Sequence, residues 1–164
     1  MAFRDSYLGR LRARVGNELV LMPGAMVVAQ RDDGRILMTR RADNAHWCLP
    51  AGAAEVGGSF ASTALAELAE EVGLEVAIDD LIPFGTLSSA DNHTIHYPNG
   101  DLTHCFAVLF LVRRWEGAPA PDGEEAVDVC WVDLAEVPQP CDPPASKALD
   151  SYRAFLSTGR FQLA

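Results

Sequence analysis

The sequence predicts a mixed α/β protein of the α+β kind, folded as a single domain over residues 1–164. Its length of 164 residues is typical of one domain. Apolar residues make up 49% of the chain, which is enough for a core and more than a disordered protein contains. Strand-like and helix-like segments are interspersed along the chain, with no internal repeat and no linker between them. This order favours strands and helices packed as one unit.

The first elements are a helix and a pair of strands. Residues 6–15 are predicted to be helical, because apolar side chains recur there at helical spacing and Gly16 ends the pattern. Two strand-like runs follow, AMVVAQ at 25–30 and ILMTRR at 36–41. The RDDGR segment between them contains an Asp-Gly pair, which is a strong signal for a β-hairpin. We therefore expect the second strand to return alongside the first.

A second helix is predicted from Phe60 to Val72, with Ser59 as its N-cap and Gly73 as its C-terminal stop. A C-terminal helix is expected at about 144–157, where prolines mark its start. The longest strand-like run, LTHCFAVLFLVRRW, is predicted to be a central strand. The other strand-like segments are HWCLP, FGTLSS, TIHY and AVDVCWV, and YPNGD at 97–101 is predicted to be a turn.

The charge of the chain is acidic and uneven, and it argues against several classes of protein. The net charge is −10, with eight arginines against five acids in residues 1–50 and five basic residues against eighteen acids thereafter. Such a chain is poorly suited to a nucleic acid polymer, whose phosphates need Lys and Arg. Clustered acids suit divalent cations better. The four cysteines are widely spaced without a CxxC pair, which argues against a zinc site.

No membrane-associated segment is expected. No apolar stretch approaches the ~18–20 residues that a transmembrane helix needs, and the N-terminus has no apolar signal-peptide region. A cytoplasmic location is the simplest interpretation.

The helix at 60–72 concentrates carboxylates on one side. At about 100° per residue, Glu67, Glu70 and Glu71 share an arc of about 100°. Like charges at this spacing repel, and the helix contains no Lys or Arg to compensate them. A hard divalent cation is the natural counter-charge. The alternative is a solvated acidic face. The next stripe of the helix is expected to pack on the core, and its members are Ala61, Leu65, Leu68 and Val72.

The segment 52–74 resembles the signature of the Nudix hydrolase family, GX5EX7REUXEEXGU, in which U is a bulky aliphatic residue. The preceding WCLPAG resembles the W-x-L-P-G-G that usually leads into it, and the likeness extends over roughly residues 20 to 140. It implies a Nudix-type α/β/α sandwich with a central mixed β-sheet. The matching positions of the signature are Gly52, Glu67, Leu68, Glu70, Glu71, Gly73 and Leu74.

Two positions depart from the signature. Gly58 stands where the family has Glu, and Ala66 stands where it has Arg. In the family, that Arg helps to orient the Glu that follows it, and the missing Glu belongs to the acidic set around the metals. Glu55 lies three residues before Gly58 and could partly replace its charge. These departures bear on the catalytic rate more than on metal binding.

The resemblance implies a metal-dependent pyrophosphohydrolase that cleaves a nucleoside diphosphate linked to another moiety. Glu67, Glu70 and Glu71 would hold Mg²⁺ or Mn²⁺, and the carbonyl of Gly52 would add a ligand, as it does in relatives. Family members often supply the general base from a late loop, where this chain has Glu124 and Glu125. We favour Glu125; the alternatives are that Glu70 or Glu71 is the base, or that both loop acids are simply solvated.

The substrate is expected to be a small nucleotide diphosphate derivative, with a mild preference for nucleotide sugars or ADP-ribose-like compounds. Arg40 or Arg41 could contact the diphosphate, since Arg matches phosphate geometry. Tyr97 could stack on a base or sugar, although a structural role is the simpler interpretation. A homodimer through the N-terminal helix is a further expectation. The alternative function is a catalytically weak or inactive Nudix-fold module that binds nucleotides, suggested by Gly58 and Ala66.

Overall fold

The computed structural model describes residues 3–97 and 99–164. Pro98, which belongs to the predicted turn at 97–101, lies outside the described residues. On either side of it, the Tyr97 N–H donates to the Asp101 carbonyl (3.0 Å) and the Gly100 N–H donates to the Tyr97 carbonyl (2.9 Å).

Four α-helices and nine strands lie in the described residues. The helices are α1 (Tyr7–Val15), α2 (Phe60–Val72), α3 (Ala90–His93) and α4 (Pro143–Thr158). Short 3-10 turns lie at Phe3–Asp5 and Ile78–Asp80. The strands are β1 (Val20–Ala29), β2 (Ile36–Arg41), β3 (Trp47–Cys48), β4 (Ala51–Ala53), β5 (Ile82–Leu87), β6 (Thr94–His96), β7 (Leu102–Val112), β8 (Ala126–Val132) and β9 (Gln162–Leu163).

The strands form two sheets. The larger sheet has the order β4-β1-β7-β5-β9, with β6 also paired to β7, and the smaller has the order β3-β2-β8. The larger sheet is mixed, because β1 runs parallel to β7 whereas β5 runs antiparallel to it. The longest predicted strand is therefore central, as expected. Antiparallel pairing of β4 with β1 places Gly52 opposite Ala25.

Alternate residues of β1 face the two helical layers. Ala25, Val27 and Ala29 pack with the apolar residues of α2. On the other face, Met26 and Val28 pack with α4, while the start of the strand packs with α1. The large sheet therefore lies between helices on both faces, which confirms the predicted α/β/α sandwich.

The expected pairing of β1 with β2 is largely wrong. The turn between them forms, with Gly34 at φ 87° and its N–H donating to the Arg31 carbonyl. Only the bridge Gln30–Ile36 joins the two strands in the described residues, and β2 then pairs with β8 in the second sheet. A turn signal is local, whereas the partner of a strand is decided by which faces can be buried together.

The N-terminal helix uses its apolar face within the chain. Leu8 lies in a cluster with residues of β1 and β7, and Leu11 and Val15 pack against that cluster. The large sheet therefore covers the apolar face of α1 through which a homodimer was expected. Within the described residues, no helix is both long and apolar enough to cross a bilayer.

Candidate active site

Helix α2 is fixed at both ends by local interactions. At its N-terminus, the Ser59 hydroxyl accepts a hydrogen bond from the Ser62 N–H (3.1 Å), and the Ser62 hydroxyl accepts one from the Ser59 N–H (2.7 Å). At its C-terminus, Gly73 adopts the left-handed conformation (φ 68°), and its N–H donates to the Ala69 carbonyl. This reciprocal cap and glycine stop set the register in which α2 presents its carboxylates.

The buried stripe of α2 differs from the one expected. Leu65 is only half-buried, whereas Ala64 and Glu71 are buried beside Leu68 and Val72. The core-facing stripe is therefore rotated towards the acids and includes one of them. The three glutamates are in three environments: Glu70 is exposed, Glu67 is half-buried and Glu71 is buried.

Gly52 in β4 lies directly against the Glu67 carboxylate. A Cβ built on Gly52 would lie 1.9 Å from Oε1 of Glu67, so a side chain at position 52 cannot coexist with this carboxylate. The glycine is thus required by the close approach of strand and helix. This contact brings together two of the positions that the sequence analysis assigned to a metal site.

Glu71 is a buried carboxylate without complete hydrogen bonding. Its residue is 9% exposed, and its Oε2 atom has no hydrogen-bond partner within the described residues. A backbone hydrogen bond from Ala51 lowers its pKa, but burial raises the pKa well above its ordinary value, and the charges of Glu67 and Glu125 raise it further. A buried carboxylate with an unpaired oxygen is costly unless a proton or a cation joins it.

Glu67 is perturbed in the same direction. Burial raises the pKa of Glu67 to about 7, and the negative charges of Glu125 and Glu70 add to this shift. The carboxylates of α2 and of the late loop therefore act on one another electrostatically, as expected if they share one site.

The late loop is held within electrostatic reach of the acids of α2. The Asp122 carboxylate accepts hydrogen bonds from the N–H groups of Glu124, Glu125 and Ala126, which fold the loop around it. The Glu125 carbonyl accepts a hydrogen bond from Ala42 (2.9 Å). Of the two glutamates proposed as the base, Glu125 is the one whose charge raises the pKa of Glu67 and of Glu71.

These carboxylates are neighbours but are not gathered around one point. Across residues 3–97 and 99–164, no three His, Cys, Asp or Glu side chains form a ready cation cage. The oxygen donors nevertheless suit a hard cation, because Glu67 abuts the Gly52 backbone and Glu71 has an oxygen that is buried and unpaired. Glu67, Glu70, Glu71 and the Gly52 carbonyl are the groups that could hold Mg²⁺ or Mn²⁺.

The two arginines that end β2 have different surroundings, separated by a register shift in the pairing with β8. Arg40 is exposed, and its Nε donates to the Ala45 carbonyl (3.3 Å). Arg41 is half-buried and forms two hydrogen bonds to Asp43 (2.8 and 2.6 Å), which raise its pKa. The charge of Arg41 lowers the pKa of Glu71, so Arg41 is the arginine that acts on the acidic site.

Tyr97 is half-buried near Arg41. Burial raises the pKa of its hydroxyl, and the positive charge of Arg41 opposes this shift. Of the three residues proposed for substrate binding, Arg41 and Tyr97 are therefore within electrostatic reach of each other, and Arg40 is exposed to solvent.

A polar group around Arg41 was missed in the sequence analysis. Burial raises the pKa of Asp142, at the N-terminus of α4, and the charges of Arg41 and His46 lower it. The Nδ1 atom of His46 is buried without a hydrogen-bond partner in the described residues. The Asp-Pro-Pro at the start of α4 was the signal that could have identified Asp142. Its electrostatic interaction with Arg41 links residues that are far apart in the chain and leaves no local pattern.

Glu55 does not take the place of the missing carboxylate at position 58. Its two carboxylate oxygens accept hydrogen bonds from the Tyr7 N–H at 2.7 and 3.0 Å, at the first residue of α1. The suggestion that Glu55 partly replaces the charge absent at Gly58 is therefore not supported, because this carboxylate is directed to the N-terminus of another helix.

The comparison with known families agrees with this geometry. The NUDIX domain profile matches residues 20–152, which include every proposed site residue. The chain belongs to the NUDIX family. This membership confirms the resemblance drawn from the signature at 52–74.

Individual NUDIX relatives are more distant. A MutT-like protein of Streptomyces ambofaciens is 43% identical over 54 residues, which are 33% of this chain and 35% of that protein. The match thus spans about a third of that relative's length. The crystal structure of a MutT NUDIX hydrolase from Burkholderia pseudomallei aligns with a TM-score of 0.68 at 22% identity, covering 80% of this chain and 98% of that one.

An ADP-ribose pyrophosphatase from Streptococcus suis aligns with a TM-score of 0.66 at 21% identity, covering 87% of this chain and 97% of that one. At such identities the structural likeness establishes the NUDIX fold of this chain and does not extend to a substrate.

Proposed function

We propose that this NUDIX protein is a metal-dependent pyrophosphohydrolase that cleaves a nucleoside diphosphate linked to another moiety. The observation that carries the proposal is the buried, unpaired oxygen of Glu71 beside the Glu67 carboxylate and the Gly52 backbone. Such a group needs a proton or a cation as its partner, and an oxygen-rich, negatively charged site suits Mg²⁺ or Mn²⁺.

In this proposal, Glu67, Glu70 and Glu71 hold the metal together with the Gly52 carbonyl. The bound metal would neutralise phosphate oxygens and make water a better nucleophile. Glu125 accepts the proton of the attacking water, a role that its place beside Glu67 and Glu71 allows. Glu70 or Glu71 is the alternative base.

Arg41 contributes the positive charge that faces the anionic substrate. Its two hydrogen bonds to Asp43 hold the guanidinium in place, and its charge already acts on Glu71 and Tyr97. Tyr97, within electrostatic reach of Arg41, is the residue that would contact a base or sugar, and the exposed Arg40 is the second candidate for the diphosphate. A small nucleotide derivative fits this arrangement better than a polymer, because the chain as a whole carries a net charge of −10.

The ADP-ribose pyrophosphatase of Streptococcus suis supports an ADP-ribose-like compound or a nucleotide sugar as the first class to assay. Phosphate release from a panel of nucleoside diphosphate derivatives, with Mg²⁺ or Mn²⁺ and a coupled phosphatase, is expected to reveal metal-dependent cleavage of one class. Glu70→Gln should lower kcat by about 10²–10⁴-fold, since a metal contributes several kcal/mol to such transition states. Glu70 is exposed, so the variant should remain folded.

The matched control is Glu75→Gln, which removes an exposed carboxylate of the same chain just beyond the helix. It should retain the activity of the parent. Equal activity in both variants would contradict the assignment of Glu70.

The non-catalytic binding module predicts a different pattern. The parent would cleave nothing, and Gly58→Glu combined with Ala66→Arg would create activity. Ala66 is exposed and has room for Arg, whereas a Cβ at Gly58 would lie 3.0 Å from the Glu55 carbonyl and would require a small shift there. Similar activity with and without these substitutions would favour the enzyme.

A further inference from the structure

In the part of the chain that the structure describes, the Glu55 side chain joins the loop between β4 and α2 to the N-terminal helix. Glu55, in the middle of this loop, accepts hydrogen bonds from the Tyr7 N–H through both carboxylate oxygens, at 2.7 and 3.0 Å. Tyr7 is the first residue of α1, where N–H groups lack partners within the helix. The carboxylate also interacts favourably with the positive end of the helix dipole.

This loop connects the two halves of the proposed metal site. It begins just after Gly52 in β4 and ends at the start of α2, which carries Glu67. Its tip has few other constraints: Val56 is 77% exposed, and Gly57 adopts φ 85° with open space around it. A hydrogen bond from the Gly58 N–H to the Glu55 carbonyl closes the tip on itself.

Helix α1 gives the Glu55 carboxylate a firm anchor. Leu8 packs into an apolar cluster with β1 and β7, and Ala53, at the end of β4, packs against the same cluster. Arg12 is buried farther along the helix. The Ser6 hydroxyl caps the helix by accepting from the Gly9 N–H (3.0 Å), so the N–H groups of Tyr7 and Gly9 both have acceptors.

We propose that Glu55 is a positioning residue, which holds the β4–α2 loop against α1 so that Gly52 and Glu67 keep the spacing that metal binding requires. The inference rests on the proposed function for its link to catalysis. It also gives the N-terminal helix a role in the proposed site, and it explains why Glu55 is not free to act as a metal ligand.

Tyr7→Pro tests this role without altering Glu55. The substitution removes the N–H that Glu55 accepts from, yet proline is well tolerated at the first position of a helix. Ser6 already has the extended conformation that a residue before proline requires, with φ −67° and ψ 160°. Tyr7→Ala is the matched control, because it removes the same side chain and retains the N–H. Glu55→Ala removes the carboxylate from the other side.

Three readouts are informative: Mn²⁺ affinity from electron paramagnetic resonance of the free ion, amide exchange of residues 53–58, and Mg²⁺ activation of turnover. In Tyr7→Pro and Glu55→Ala, we expect the Mn²⁺ dissociation constant to rise ~3–10-fold, below the 10–100-fold typical of residues that hold metal ligands directly. Loop amides should exchange faster, and half-maximal activation should need correspondingly more Mg²⁺. The KM for substrate and the values for Tyr7→Ala should not change.

Two outcomes would overturn the inference. One is wild-type Mn²⁺ affinity and amide exchange in both Tyr7→Pro and Glu55→Ala. The other is weakened Mn²⁺ binding in Glu55→Ala alone, because Glu55 would then act without α1. A wild-type protein that binds Mn²⁺ but cleaves nothing would refute the proposed function instead, and the Mn²⁺ and exchange data would still decide the role of Glu55.

Discussion

Arg12 and Glu71 are buried charged side chains in two regions of the molecule with opposite surroundings. Arg12 is 7% exposed and Glu71 is 9% exposed. Both terminal nitrogens of the Arg12 guanidinium donate hydrogen bonds, and its Nε atom lies near the Asp101 carboxylate. By contrast, the Oε2 atom of Glu71 has no hydrogen-bond partner in the described residues. The partners of Arg12 are the carbonyl oxygens of Gly16, Glu18 and Leu102, the hydroxyl of Thr103 and the carboxylate of Asp101.

The contrast separates a structural charge from a functional one. Arg12 joins α1 to the ends of two strands, and its charge is neutralised within the chain by Asp101 (3.7 Å). The charged neighbours of Glu71 on α2 and the late loop are carboxylates, and the charge of Arg41 does not offset them. A buried charge whose partners are complete stabilises the fold it belongs to, and one that lacks a partner is prepared for a ligand. The predictions below test this difference.

The largest effect on stability is expected at Arg12. Arg12→Met leaves the Asp101 carboxylate buried without its counter-charge, and the loss of one partner of a buried pair costs about 3–5 kcal/mol. Urea unfolding should show this loss, while the molecules that remain folded should keep their Mn²⁺ affinity. Arg153→Met is the matched control, because Arg153 pairs with Asp150 at the surface and should contribute less than about 1 kcal/mol. Equal losses in the two variants would contradict the comparison.

The sequence predicted which acids share one side of α2, but it did not predict the surroundings of each acid. The signature at 52–74 identified the three glutamates and Gly52, because their spacing on one helix is a local property. The helical pattern did not place Glu71 in the core, since the buried stripe is rotated by a fraction of a turn towards the acids. Burial of an acid runs against the usual pattern and occurs where function requires it.

Long-range contacts were beyond the sequence for a different reason. The bond from Tyr7 to Glu55 joins residues 48 positions apart, and no periodicity encodes it. The same holds for the electrostatic interaction between Asp142 and Arg41. Likewise, the Asp-Gly turn was recognised. The pairing of β2 in a second sheet was not, because its partner β8 lies far along the chain.

The second effect is a dependence of stability on pH in the metal-free protein. The pKa of Glu67 is raised to about 7 and that of Glu71 is raised well above its ordinary value, so the folded state binds more protons than the unfolded state. Stability should therefore be greatest below the unfolded pKa of about 4.3 and should fall as pH rises towards 7 and beyond. For Glu67 alone the loss is on the order of 3 kcal/mol, because each pKa unit between 4.5 and about 7 corresponds to 1.36 kcal/mol.

Thermal melts in EDTA at pH 5 to 8 would measure this loss, with the melting temperature falling by roughly 2–4 °C per kcal/mol. Mg²⁺ or Mn²⁺ should restore stability mainly at high pH, where the carboxylates are ionised. A metal-free melting temperature that does not change with pH, or that rises, would show that the acids of α2 are not held in an unfavourable charged state.

The smallest effect isolates Glu71 alone. Glu71→Gln keeps the shape of the side chain and an oxygen that can accept the backbone hydrogen bond from Ala51, but it removes the buried charge. At pH 8 without metal, the variant should be more stable than the parent by about 1–2 kcal/mol, because a neutral unpaired group costs less than a charged one. At pH 5 the gain should be smaller, because the raised pKa of Glu71 costs less stability as the pH approaches the unfolded value of about 4.3. The difference between the two conditions therefore reports the charge and cancels any loss of packing.

The same substitution should also diminish the rise in melting temperature that Mn²⁺ produces at pH 8. A variant that is less stable than the parent at both values of pH would mean that Glu71, like Arg12, is a structural charge with partners inside the fold.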